Sequence, residues 1–189
     1  MTGTSAWLMA FALCAGGAPF RAVPLAAQTA PPASQVLVDS AVRRAAAEHK
    51  TVLVVFGASW CAPCRLFHAF LADSDVGPVM AAHYVTVQLV TLETPANRAL
   101  ENPGSEGMLS AMGDAEAGVP FFVALDSTGK KIADSRLMAN GGNVGFPVAR
   151  EEIAAFDEFL ARTAPGITTL ERLQIRGYLY RVASRLEHS

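Results

Sequence analysis

The chain has 189 residues, of which 51% are hydrophobic and 17% charged. That composition excludes a disordered protein and allows one domain with a substantial core. A net charge of −2 offers no electrostatic footprint for nucleic acid or an acidic membrane surface.

Residues 1–27 read as an export signal. Ala6-Trp7-Leu8-Met9-Ala10-Phe11-Ala12-Leu13-Cys14-Ala15 is a short apolar run, and the small residues Ala22, Ala26 and Ala27 follow it. No Lys or Arg precedes the run, so a retained N-terminal anchor is the alternative. Leu13 is too bulky for the usual lipidation box before Cys14. The expected location is periplasmic or secreted, or anchored and facing the periplasm. Residues 28–34 read as a flexible linker.

Residues 35–50 have helical spacing, with Val36, Leu37, Ala41 and Ala45 able to share one face. His49 reads as a C-terminal cap. Residues 52–56 form a β-branched and aromatic run, as expected of a strand covered on both faces. Gly57-Ala58-Ser59 opens a turn, and residues 64–71 resume a helical pattern. Gly77-Pro78 breaks or restarts that helix, and His83 ends it. Residues 84–90 form a second apolar strand. Residues 91–118 are irregular, with a short helix around 108–112. Glu93, Glu101, Glu106, Asp114 and Glu116 in and near this segment read as solvated loop acids.

Residues 121–125 form a third strand, and Asp126-Ser127-Thr128-Gly129 is a turn. Residues 131–137 read as the antiparallel partner, and residues 140–143 as a flexible loop. Gly141-Gly142 lacks the strand–turn–helix context of a phosphate loop. Residues 148–163 form an amphipathic helix with Ile153, Phe156, Phe159 and Leu160 inward. Pro165-Gly166 ends it, and Thr168 with Glu171 forms a capping box for a last helix reaching about residue 186. Strands alternating with helices, then a late hairpin, predict a three-layer α/β/α sandwich with a mixed central sheet.

The strongest chemical feature is Cys61-Ala62-Pro63-Cys64, preceded by Trp60, where the first strand runs into a helix. Two cysteines three positions apart can close and open a disulfide. With residues 1–27 removed, they are also the only thiols in the mature chain. A bridge closing so small a loop adds little stability by chain entropy, so the pair reads as reactive. A thiol attacks only as its thiolate, which a helix N-terminus favours at Cys61. Pro63 fixes φ in the first turn, where its missing N–H costs nothing. Trp60 would cover the site with an apolar surface. A metal site of Cys61, Cys64 and His68 on one helix face is the weaker alternative, with no fourth ligand evident. His68 alone reads as a surface histidine. Far along the chain, Gly118-Val119-Pro120 heads the third strand. A cis Val119–Pro120 bond would account for a proline there.

Trp-Cys-x-Pro-Cys after a buried strand, then a Pro-headed strand with its hairpin and a helix, resembles thioredoxin. The resemblance covers residues 35–163 and leaves residues 164–189 as a C-terminal helical extension. Asn143-Val144-Gly145-Phe146-Pro147 and the helical tail look like an exported bacterial branch of thioredoxin-like proteins, of unassigned substrate. It implies a thiol–disulfide oxidoreductase with Cys61 as the exposed attacking cysteine and Cys64 as the resolving one. It further implies Pro120 as a cis-proline beside the sulfurs and Val119 as a backbone contact for an extended substrate. The implied partners are a disulfide-containing protein and a redox partner, with a monomeric enzyme, no organic cofactor, and reduction as the favoured direction. Two positions depart from the pattern. Thioredoxins carry a buried aspartate where this chain has Val55, so Cys64 lacks its usual base. Ala62-Pro63 replaces Gly-Pro, a pair that tunes potentials ranging from about −270 to about −120 mV.

Overall fold

Thr51–Gly57 (β1) has no solvent-facing side, and its residues 51–56 are all buried. The computed structural model describes residues 30–113, 116 and 118–188. The expected signal (residues 1–27), Cys14 and Asp114 lie outside the described residues. Along the chain follow Ser34–Glu48 (α1), β1, Ala62–Ala72 (α2), Val76–His83 (α3) and Tyr84–Val90 (β2). A 3-10 turn at Pro95–Leu100 and the helix Ser105–Met112 (α4) come next. Phe121–Leu125 (β3), Lys131–Asp134 (β4), Arg150–Thr163 (α5) and Thr169–Glu187 (α6) complete it.

The sheet runs β2-β1-β3-β4. β1 pairs with β2 in parallel, Val55 opposite Gln88, and with β3 antiparallel, Val55 opposite Phe122. The mixed sheet expected from the element order is therefore present. A strand covered on both faces can be apolar throughout, because successive side chains serve opposite cores. Val52, Val54 and Phe56 meet Val38, Ala41 and Ala45 of α1 and Leu109 of α4. Leu53 and Val55 meet α2, α3, α5 and α6 on the other face. These are the three layers.

The second core is an aromatic cluster. Phe122 lies 5.5 Å from Phe67, 5.6 Å from Phe156 and 5.0 Å from Phe159, ring centroid to centroid. Truncating such a ring to Ala typically costs about 3–5 kcal/mol. An exposed ion pair such as Arg44–Glu48 contributes about 0–1 kcal/mol. Aromatic packing through Phe67 and Phe70, rather than surface charge, therefore holds α2 against the sheet.

Several boundaries and faces differ from the sequence reading. Val36 points outward, 60% exposed, and Val38 takes its place in the core. Val38, Ala41 and Ala45 follow the i, i+3, i+7 rhythm of one helix face, and Val36 lies off that stripe. β4 stops at Asp134 rather than continuing to residue 137, because the Asp134 carboxylate accepts the Arg136 N–H at 3.0 Å and turns the chain. The helix expected at 108–112 starts earlier, at Ser105, after Gly104 in the left-handed region at φ 82°. Gly77-Pro78 restarts the chain as α3, and His49 caps α1.

The extra helix α6 joins the aromatic core through Ile175, Tyr178, Leu179 and Val182. Its capping box forms as expected: Thr168 Oγ1 accepts the Glu171 N–H, and Glu171 Oε2 accepts the Thr168 N–H at 2.7 Å. Glu171 Oε1 also lies 3.2 Å from His83 Nε2 at the end of α3. The Thr168 N–H, then its hydroxyl, then His83 hold the Glu171 carboxyl down at about 2, from a usual 4.5. A depressed acid stabilises the fold above its unfolded pKa, and that stability is lost as pH falls through the folded value. We expect the urea midpoint to fall between pH 4.5 and 2 in the wild type, and that acid limb to flatten in Glu171→Gln.

Candidate active site

β1 delivers the chain to the site through Gly57. A Cβ built on Gly57 would stand 3.4 Å from both Cβ and Sγ of Cys64, so glycine lets the strand end pass close beneath the cysteine. The turn at Ala58-Ser59-Trp60 then closes with the Cys61 N–H donating to Ala58 O at 3.2 Å. Cys61 is the N-cap of α2, and its sulfur accepts the Cys64 N–H at 3.1 Å. Pro63 sits in the first helical turn. The sulfurs are joined at 2.08 Å, with Cα atoms 5.2 Å apart. One free N–H at the N-terminus of α2 thus points at the Cys61 sulfur, where it favours a thiolate over a thiol.

The wall opposite comes from the head of β3. Val119–Pro120 is a cis peptide bond, as the sequence reading anticipated. The Val119 carbonyl oxygen lies 3.5 Å from Cys61 Sγ. Asn143 clamps this turn: its Nδ2 donates to Gly118 O and Pro120 O, both at 3.1 Å, and its Oδ1 accepts the Gly145 N–H at 3.0 Å. Gly145 adopts φ 59°, and a Cβ there would come 3.4 Å from Pro120 Cδ. The segment expected as a loose loop is, at Asn143, a clamp on the site. Residues 140–143 carry no periodicity that would have marked it.

A third group of residues fixes the turn before Cys61. Glu93 is only 6% exposed. Its carboxylate accepts the Ser59 N–H at 2.5 Å and the Ser59 hydroxyl at 2.7 Å. Glu101 accepts the Glu93 N–H at 2.7 Å, and Asn97 donates to Ser59 Oγ at 3.3 Å. Trp60 Nε1 donates to Leu92 O at 2.8 Å, which leaves the Trp60 ring 54% exposed beside the cysteines. Glu93 is therefore not the solvated loop acid expected from composition. The Ser59 donors satisfy its charge, which makes burial affordable. Nothing in the spacing of Ser59 and Glu93 announces the pair, because they meet only in three dimensions.

The disulfide state also corrects the exposure of the cysteines. Cys61, expected to be the exposed one, is 2% exposed and tucked against Val119. Cys64 is half-buried and lines a cavity of about 580 Å³. Val55, Gln88, Leu100 and His68 also line it, with Glu93. Val55, 5% exposed, lines the same cavity as Cys64, so the position that carries an acid in thioredoxins is apolar here. Among the described residues, no three His, Cys, Asp or Glu side chains are grouped to hold an ion.

Glu93→Ala would leave the Ser59 N–H without its acceptor, and hydrogen bonds to charged groups contribute about 1.5–3 kcal/mol each. The variant should lose about 2–3 kcal/mol in urea unfolding and show faster amide exchange at Ser59. Unchanged Ser59 protection would mean that the carboxylate does not hold this turn.

Residues 34–127 match the profile of a family described as thioredoxin-like. Among solved structures, the chain is similar to the disulphide isomerase of Xylella fastidiosa, at 21% identity over 78% of this chain and 89% of that one, TM-score 0.48. It is also similar to the DsbH oxidoreductase, at 21% identity over 80% and 96%, TM-score 0.43. A third is the oxidised C-terminal domain of Neisseria meningitidis DsbD, at 24% identity over 56% and 84%, TM-score 0.38. No curated protein matches the sequence significantly.

Proposed function

Because this chain belongs to the thioredoxin-like family, we propose that Cys61 and Cys64 are the working dithiol of a thiol–disulfide oxidoreductase that reduces disulfides in exported proteins. The observation that carries this reading is the placement of Cys61: it is the N-cap of α2, its sulfur holds the Cys64 N–H at 3.1 Å, and it is joined to Cys64.

In the reduced protein the Cys61 thiolate attacks one sulfur of a substrate disulfide. The substrate S–S bond breaks, one substrate thiolate leaves, and a Cys61–substrate mixed disulfide forms. Cys64 then attacks the Cys61 sulfur and expels the second substrate thiolate, leaving Cys61–Cys64 oxidised. Two electrons pass from the dithiol to the substrate, and an external dithiol partner returns them. The site supplies no general acid at Cys61; the helix end and the Cys64 N–H stabilise the attacking charge instead. Breaking the internal bond frees both cysteine side chains to rotate, and the Cys61 sulfur turns outward beside Trp60 to meet substrate. Trp60 and the Val119 backbone at the head of β3 form the two walls along which an extended substrate lies, with Pro120 beside the sulfurs.

Insulin reduction driven by dithiothreitol tests this reading. The wild type should precipitate insulin B chain well above the rate of dithiothreitol alone, and Cys61→Ser should match the uncatalysed rate. Equal rates for the two proteins would remove the catalytic claim. Cys64→Ser should accumulate a mixed disulfide at Cys61 that gel shift under non-reducing conditions detects.

The location belongs to the same proposal. Among the described residues, no helix is long and apolar enough to cross a membrane. The apolar run at residues 6–15 and the small residues up to Ala27 support export. Expression of the full chain in a bacterial host should yield, in the periplasmic fraction, a protein beginning near residue 28. Recovery of only uncleaved chain in the cytoplasm would count against export.

A further inference from the structure

The resolving step needs the Cys64 thiol to lose a proton, and the cavity beside Cys64 holds the side chains that could receive it. Val55, Gly57 and Ala58 line this cavity with Cys64, and none of them is a base. Its polar lining consists of Ser59, Arg65, His68, Gln88 and Glu93. Each Glu93 carboxylate oxygen already accepts a hydrogen bond from Ser59, at 2.5 and 2.7 Å, so a proton taken there would weaken the clamp on the cysteine turn. The Ser59 hydroxyl is donated to that same carboxylate. Arg65 is a permanent cation, and its Nη1 donates to Ser59 O at 3.3 Å. The Gln88 amide does not take a proton at ordinary pH.

His68 is the remaining group. It lies four residues after Cys64 within α2, so the two side chains share a helix face with Cβ atoms about 5–6 Å apart. The ring stands at the exposed rim of the cavity and has no hydrogen-bond partner among the described residues. At that Cβ spacing there is room for one water between a sulfur and an imidazole. Histidine is also the side chain whose protonation changes in the physiological pH range. Two charged side chains line the same cavity: Arg65, one turn earlier on α2, and Glu93, from the segment after β2.

We propose that His68 is the proton acceptor for Cys64 in the step that resolves the mixed disulfide. The proposal rests on the dithiol reading above. Neutral His68 takes the Cys64 proton directly or through one water and becomes imidazolium. The Cys64 thiolate attacks the Cys61 sulfur, the bond from Cys61 to the substrate sulfur breaks, and the Cys61–Cys64 bond forms. The departing substrate thiolate takes a proton from the imidazolium or from water, which returns His68 to its neutral form. His68 thereby stands in for the acid that Val55 replaces.

Stopped-flow mixing of the reduced protein with an aryl disulfide, dithiobis(nitrobenzoate), separates the two steps. The first aryl thiolate released reports attack by Cys61, and the second reports resolution by Cys64. His68→Gln should keep the first phase at the wild-type rate and slow the second by about a hundredfold, the lower end of the range for a lost general base. Added imidazole should restore the second phase of the variant without affecting the wild type. The rise of the second phase with pH, followed from about 5.5 to 8.5, should differ between the two proteins. A second phase equally fast in both proteins, or an equal slowing of both phases, would overturn the role of His68. If the wild type releases no first aryl thiolate, the dithiol reading itself fails, and the role of His68 fails with it.

Discussion

Strand β1 has no face to give to solvent, and the other layers are placed by that constraint. Its alternating side chains must find two separate apolar surroundings, so one helical layer cannot suffice. α1 and α4 supply one, while α2, α3, α5 and α6 supply the other. Because β1 is central in the sheet, its C-terminal end is also fixed in space. Gly57 ends it at contact distance from Cys64, and the cysteine turn starts there. The reactive pair is thus mounted on a strand buried on both faces.

Two polar clamps finish what the strand begins. Glu93 reaches in after β2 and holds the backbone and side chain of Ser59, just before the cysteines. Asn143 reaches across from the loop after β4 and holds the carbonyls of Gly118 and Pro120, which flank the wall facing Cys61. Each is a short polar side chain satisfying backbone groups that no ladder pairs, as buried backbone requires. Together they keep the Cys61 turn and the Val119 carbonyl in register, with the Cys61 sulfur 3.5 Å from that oxygen.

The elements and the motif were legible in the chain because they are local. β1 was readable from Thr51-Val52-Leu53-Val54-Val55-Phe56, whose β-branched run leaves no polar stripe. The capping box of α6 was readable from Thr168 and Glu171. The place of Cys61 at a helix start followed from Pro63 and the turn at Gly57. The orientation of α1 was misjudged at Val36 because a two-residue difference in helical phase is small in sequence and large in angle. The acid Glu93 was misjudged for another reason: composition describes its surroundings along the chain, and its partners lie more than thirty residues earlier.

By itself, the sequence determined the order of the layers, the dithiol at the mouth of α2, and the absence of an acid at Val55. All three are properties of neighbouring residues, where periodicity, propensity and spacing act directly. Tertiary structure alone decided which cysteine faces the cavity, what fixes the turn at Ser59, and which side chain shares the pocket with Cys64. Those outcomes depend on how β2, the head of β3 and the Asn143 loop close around the end of β1. A long-range closure of that kind leaves no periodic trace in the residues that make it.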